Sequence, residues 1–249
     1  MKFQLYALPW MPDSTLSKGE DNMANHDYRE YEDWLVLNNI PFVGFRDGFY
    51  YDNNQYDAIS SDPDKFTNNV NVMMWWLERK LGYCHASACA IIGNSWRECG
   101  CNPAAWEGNR HNTRVGYGLM QWTPAYQFIF ANNYAMCCSG KGQMLQFKAE
   151  YERWEVDPWD SEWSPTLPQT WEEFKYNHKE VDGEIIEDYW DIRELARIFC
   201  AGYLRGGWDE QRADNAETIY NNVDGKYHPK CPIAWLLFKM AKQNRGWKF

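Results

Sequence analysis

Gly93-Asn94-Ser95-Trp96-Arg97-Glu98-Cys99-Gly100-Cys101-Asn102-Pro103 is the stretch from which the rest of the chain can be read. Ahead of it, Ala88, Ile91, Ile92, Ser95 and Trp96 recur at three- and four-residue spacing. That spacing predicts a helix opening near Ser87 with one apolar side. Cys99-Gly100 supplies its stop, and Pro103 forbids continuation. Glu98 therefore falls in the last turn. Asn94 and Ile91, four and seven residues earlier, share its face, so the carboxyl shares a side with the apolar stripe. The negative end of the helix dipole also disfavours a carboxylate there. Both effects favour the neutral form, which is the state a general acid needs. The alternative is a glutamate that swings into solvent or pairs with Arg97 or Arg110.

A second block follows: Gly116-Tyr117-Gly118-Leu119-Met120-Gln121-Trp122-Thr123-Pro124. Taken with the first, it resembles the phage tail lysozyme family, within the wider goose-type lysozyme and soluble lytic transglycosylase superfamily. Marks of that superfamily are a glutamate ending a helix, usually as Glu-Ser with Asn-Pro four residues on, and then Gly-Leu-Met-Gln. Both occur here in order, although Cys99 stands where serine is customary. Cys200-Ala201-Gly202-Tyr203-Leu204-Arg205-Gly206-Gly207-Trp208, followed by Arg212, Ala213, Ala216 and Tyr220, is similar to the family's closing helix pair. The likeness runs from about residue 69 to residue 222.

The resemblance implies a mainly α (α+β) fold: a lysozyme-like helical domain with a small β-hairpin after the catalytic helix. It implies Glu98 as catalytic acid and Tyr203 as the site tyrosine. Tyr117, Gly118, Met120, Gln121, Trp122 and Tyr203 are the expected substrate-binding residues. The glycines would admit the glycan to the backbone, Gln121 and Tyr203 would bond sugar or orient Glu98, and Tyr117, Trp122 and Trp106 are candidate sugar platforms. Asn102-Pro103 is expected to fix the turn rather than touch substrate.

Cleaving a β-1,4 glycosidic bond normally takes a second carboxylate. Between Cys99 and Trp122 only Glu107 is available, and it reads better as a loop residue balancing Arg110 or Arg114. Asp157, Asp160, Glu162 and Asp209 are more distant alternatives. Lacking a clear partner is itself similar to goose-type and transglycosylase sites, where the substrate's N-acetyl group assists. Hydrolysis and anhydro-forming transglycosylation thus share the same expected site, and the phage-tail likeness tips the expectation toward hydrolysis.

Outward from these blocks the chain is mostly helical. Val72, Trp75, Trp76 and Arg79 predict a helix from Asn68 to Gly82. Further helices are expected at 124–134, 142–154, from Thr170 with a Thr170/Glu173 capping box, and at 188–204, 209–223 and 232–243. The Pro/Trp-rich stretch 157–168 reads as a loop. Residues 1–66 are different: rich in Asp, Asn, Gly and Tyr, with a hairpin expected over 42–51 turning at Asp47-Gly48. The expected division is a 1–66 extension or attachment module and a 67–249 catalytic domain.

Composition limits the partners. With 35 acidic and 25 basic residues the formal charge is −10, which leaves no electrostatic route onto nucleic acid or phospholipid. No run of 18 apolar residues predicts a membrane span. The 43 aromatic residues suit stacking against sugars without proving it. The Met1–Tyr6 start, soon broken by Pro9 and Pro12, reads as lacking a secretory signal, so synthesis in a reducing cytosol is expected. The eight cysteines form CxC and CC pairs without His spacing to match, which argues against zinc and for free buried thiols. No metal or cofactor is expected. The expected setting is a phage particle: made in the host cytoplasm, held by other tail proteins through residues 1–66, acting on the host's peptidoglycan. A holin-dependent endolysin and a non-enzymatic tail protein are the competing expectations.

Overall fold

The computed structural model describes residues 43–52, 57–108, 114–125, 139–150, 167–206 and 209–223. Its elements, in chain order, begin with β1 (Gly44–Arg46) and β2 (Phe49–Tyr51), then α1 (Pro63–Trp75) and α2 (His85–Cys99). After these come α3 (Gly140–Ala149), α4 (Trp171–Tyr176), β3 (His178–Val181), β4 (Glu184–Glu187), α5 (Ile192–Phe199) and α6 (Glu210–Asn222). Helices dominate, and the two antiparallel hairpins are small, so the mainly α (α+β) expectation holds. No helix among the described residues is long and apolar enough to cross a membrane.

Local chemistry sets the element ends. Asp62 caps α1, its carboxylate accepting from the amides of Asp64 and Lys65 at 3.2 Å, and Pro63 occupies the first turn, where its missing N–H is harmless. The helix thus opens five residues earlier than Asn68, because the Asp-Pro start outweighs the later apolar pattern. A π-helical turn, Trp76–Leu81, ends it at a left-handed Gly82. The Thr170/Glu173 capping box of α4 is present as expected. Asp191 and Asp209 cap α5 and α6, and Ser139 caps α3. The part of the 188–204 helix after Phe199 is a π-helical turn, Cys200–Leu204, which ends at a left-handed Arg205.

Helix α2 is the centre. Its residues from Ser87 to Ser95 are buried, and it packs on α5 and α6. Gly93 faces the backbone of α6: a β-carbon there would lie 2.6 Å from Ala216 Cα. Asn94 donates to the Ala196 carbonyl of α5 at 2.8 Å, satisfying a polar group inside the core. Phe147, Phe174, Phe199 and Trp171 fill the space between α3, α4 and α5 with edge-on and stacked rings.

The hairpin β1–β2 turns at Asp47-Gly48, both at positive φ, with Arg46 paired to Phe49. It packs on the helical core: Phe49 is sealed against Gly140, and the Tyr51 hydroxyl accepts from the Gly140 amide at 2.7 Å. A second hairpin, β3–β4, turns at Asp182-Gly183 and was not expected. Its β4 strand, Glu-Ile-Ile-Glu, is exposed throughout and has no apolar alternation to announce it. After α2 the expected β-hairpin takes the form of isolated bridges, Trp106 to Tyr117 and Tyr117 to Trp122. The helix expected at 232–243, and that at 124–134 beyond Ala125, fall outside the described residues, as does most of the 157–168 loop.

Candidate active site

Gly100, at φ 62°, closes α2 with its amide donating to the Trp96 carbonyl at 2.9 Å. This leaves Glu98 in the final turn, as the sequence predicts. Asn102 then clamps the turn: its Oδ1 accepts from the Ala104 amide at 3.0 Å and the Asp52 amide at 3.2 Å, and its Nδ2 donates to the Asp52 carbonyl. Asn69 on α1 donates to the Cys101 carbonyl at 2.9 Å and to the Tyr50 carbonyl at 2.8 Å. Two asparagines therefore tie the exit of α2 to the β1–β2 hairpin.

Glu98 is partly open to solvent. Where the sequence sets the carboxyl on the apolar stripe, the structure sets a cation against it: Arg212 of α6 donates from Nη2 to Glu98 Oε1 at 2.5 Å, the two side chains being 12% and 22% exposed. Arg212 Nη1 also donates to Asn94 Oδ1 at 3.3 Å. Arg97 donates instead to Asp209 at 2.9 Å, which commits Asp209 to helix capping and ion pairing. Arg110 lies outside the described residues, as do Asp157, Asp160 and Glu162. Glu107 accepts from the Gly116 amide at 3.1 Å and so ties the loop to itself.

The Gly116–Trp122 block forms the turn beside Glu98. The thiol of Cys99, the next residue, lies 3.1 Å from the Ser95 carbonyl and 3.4 Å from the Leu119 carbonyl, its single S–H shared between them. Burial pushes that thiol up to about 12, so it stays a neutral donor, filling the position where serine is customary. Gly118, at φ 81°, lies so near Gln143 of α3 that a β-carbon would come within 2.6 Å of its Oε1. Gln143 in turn accepts from the Leu119 amide at 2.8 Å and donates to the Pro103 carbonyl at 2.7 Å.

The expected substrate-binding residues converge on this turn with their side chains largely covered. Tyr117 is 1% exposed and packs on Trp106 at 4.6 Å. Met120 is buried. Gln121, at φ 48°, donates to the Gly118 carbonyl at 3.0 Å and the Ala105 carbonyl at 3.3 Å, and its Oε1 is buried with no hydrogen-bond partner. Trp122 donates its indole N–H to Glu150 Oε2 at 2.7 Å, and Tyr203 donates its hydroxyl to the same oxygen at 2.6 Å. Tyr203 sits on the π-helical turn after α5, its ring stacked on Phe199 at 5.0 Å. Cys200, at the start of that turn, has its thiol raised by burial while Arg212 opposes and Glu98 adds to the shift. The Tyr203 turn thus borders the Glu98–Arg212 pair. Sequence reasoning missed Arg212 as the partner of Glu98 and missed Glu150 altogether.

One further cluster stands apart. His85 lies 2.6 Å from Glu78 and 3.6 Å from Cys89 Sγ. Cys89 is wholly buried and burial raises its thiol strongly, so this series is a tie between the Trp76–Leu81 turn and α2, not a nucleophile. The five described cysteines are free thiols, four of them buried.

A glutamate at a helix end, braced by an arginine and set beside a Gly-Leu-Met-Gln turn, is what this fold brings together. Over 180 residues the chain is 28% identical to Morphogenesis protein 1 of Bacillus phage B103, an alignment covering 71% of this chain and 44% of that protein. The chain therefore spans less than half the length of that relative. Residues 67–223 match the family described as phage tail lysozyme, which is most of the chain, and the protein belongs to that family.

Proposed function

We propose that this chain is a peptidoglycan-degrading lysozyme of a phage particle, cleaving the β-1,4 bond between N-acetylmuramic acid and N-acetylglucosamine, with Glu98 as general acid. The observation that carries the reading is Glu98 itself: partly exposed, in the last turn of α2, next to the Cys99 thiol that bonds the Gly116–Trp122 turn. Glu98 gives its proton to the leaving glycosidic oxygen as the C–O bond breaks. The N-acetyl carbonyl of the substrate meets the charge at the sugar carbon. Water, or the sugar's own 6-hydroxyl, then attacks while Glu98 takes a proton back. Tyr117, Gly118, Met120, Gln121, Trp122 and Tyr203 form the binding wall in this reading.

The residue set needs no metal or cofactor for this chemistry. Delivery fits attachment rather than diffusion: a chain of net charge −10 gains nothing from an anionic wall. Residues 1–66 are the proposed contact with other virion proteins, and within them β1–β2 packs against α1 and the start of α3. Morphogenesis protein 1 of Bacillus phage B103, by its name, belongs with particle assembly, which agrees with a virion setting.

The test is turbidity loss of purified cell walls by the native chain and by Glu98→Gln. Removing a general acid is expected to slow clearing by about 10²–10⁴-fold. Equal clearing by both would sink the assignment. Mass analysis of released muropeptides separates the chemistries, since reducing ends mean hydrolysis and anhydro ends mean transglycosylation. A second reading rests on the 2.5 Å Arg212–Glu98 pair, which equally serves a tail protein that keeps the fold for assembly alone. No clearing of several wall types by the native chain would favour it.

A further inference from the structure

Helix α3 presents a row of polar side chains toward the turn beside Glu98. Gln143 and Glu150 are seven residues apart, hence on one face and about 10 Å apart along the axis. Gln143 holds the start of the turn through the Leu119 amide and the Pro103 carbonyl. Glu150, at the C-terminal end of α3, holds its finish. Its Oε2 accepts from the Trp122 indole at 2.7 Å and the Tyr203 hydroxyl at 2.6 Å. Its Oε1 accepts from Gln146 at 2.8 Å, one helical turn back.

Two donors from chain segments some eighty residues apart meeting on one carboxylate oxygen is a costly arrangement to keep without a purpose. Placing a carboxylate at a helix C-terminus opposes the dipole. Charge-assisted bonds of this length repay that, being about twice as strong as neutral ones. An apolar residue could pack Trp122 and Tyr203 but accept from neither, and an amide oxygen could accept from both only without the charge that strengthens the bonds. Both rings are nearly covered, so their orientation is set by this oxygen and by packing, not by solvent.

We infer that Glu150 is a positioning residue for the glycan-cleaving site: it locks the end of the Gly116–Trp122 turn to the Tyr203 turn, and so fixes the gap between these two walls beside Glu98. This rests on the function proposed above. Glu150 is not assigned a proton-transfer role, because three donors already engage its two oxygens.

The experiment is a double-mutant cycle on the full chain. Initial rates on solubilised peptidoglycan are measured for the native chain, Glu150→Gln, Tyr203→Phe and the double variant, with thermal unfolding of each. Glu150→Gln keeps size and acceptor oxygen but loses the charge. The expected result is a fall of about tenfold in kcat/KM for each single variant, and a double variant no worse than about the weaker single, since both break one unit. Glu150→Asp, which keeps the charge on a shorter arm, is expected to recover part of the loss. A purely structural role would lower the unfolding temperature and leave kcat/KM per folded molecule unchanged, which would overturn the inference. So would a double variant whose loss is the product of the singles. If the native chain cleaves nothing, or Glu98→Gln cleaves as well as native, the proposed function fails and the inference with it. Cleavage that needs Glu98 but ignores Glu150 overturns the inference alone.

Discussion

Losing the Arg212 guanidinium would strip a donor from Glu98 and from Asn94 together, and remove the charge that lies 3.8 Å from Asp209. A surface pair is worth about 0–1 kcal/mol, while breaking a fully buried pair costs about 3–5 kcal/mol. With side chains 12% and 22% exposed, this pair falls between the two, so Arg212→Met is expected to destabilise by about 2 kcal/mol. The midpoint of urea unfolding reads this directly, and an unchanged midpoint would refute it. Arg212→Lys should recover part of the loss only, since an ammonium is a single point of charge that cannot span Glu98 and Asn94 as the guanidinium fork does. At this scale the site was half legible. Glu98 could be placed because helix period and the Cys99-Gly100 stop act locally. Its partner could not, because Arg212 comes from α6, 114 residues along the chain, while Arg97, the adjacent residue, donates to Asp209. Glu150 was illegible for the same reason: nothing near it in the chain marks it, and its meaning comes from Trp122 and Tyr203.

Among the elements, the contact of α2 with α6 gives the sharpest test. Gly93 in the middle of a helix forfeits about 1 kcal/mol relative to alanine by intrinsic propensity, so Gly93→Ala would stabilise an isolated α2. Here the new β-carbon would lie 2.6 Å from both the Cα and the amide nitrogen of Ala216, which are backbone atoms that cannot swing away. Overpacking of this kind costs about 1–3 kcal/mol, and it outweighs the propensity gain. The expected outcome is a net loss of up to about 2 kcal/mol, or up to roughly 8 °C in unfolding temperature for a chain of this size. A variant more stable than native would mean that the helices part freely. Elements announced by end chemistry were the ones readable beforehand: the Thr170 capping box, the Asp47-Gly48 turn, the Gly100 stop. Strand β4 shows the limit. Asp182-Gly183 carries the same turn signal as Asp47-Gly48, yet both isoleucines of Glu-Ile-Ile-Glu face solvent, so the alternation that identifies a strand is missing.

Across the whole molecule, the buried ionisable groups push in one direction. Burial raises the thiols of Cys89, Cys99, Cys101 and Cys200 and the phenols of Tyr51 and Tyr83. Each of these groups is neutral when protonated, so the folded state holds its proton more tightly than the unfolded chain does. Where the unfolded chain binds fewer protons, stability falls as pH rises. The contribution is therefore fully present below the ordinary thiol value of 9.0 and is lost progressively toward the folded value, about 12 for Cys99. Urea midpoints, taken under reductant from pH 7 to pH 10.5, should stay level to about pH 9 and then decline. Cys99→Ala should shallow that decline, because it removes one of the raised groups. A native chain whose midpoint holds level through pH 10.5 would refute the account. The loss would reach the site as well as the fold. Cys99 adjoins Glu98 and, held at about 12 by burial, keeps its proton for as long as the chain stays folded, so the site is lost with the fold. The proposed glycan cleavage should therefore fade on the alkaline side together with the fold, and at lower pH in any variant, such as Arg212→Met, that already loosens α2 from α6.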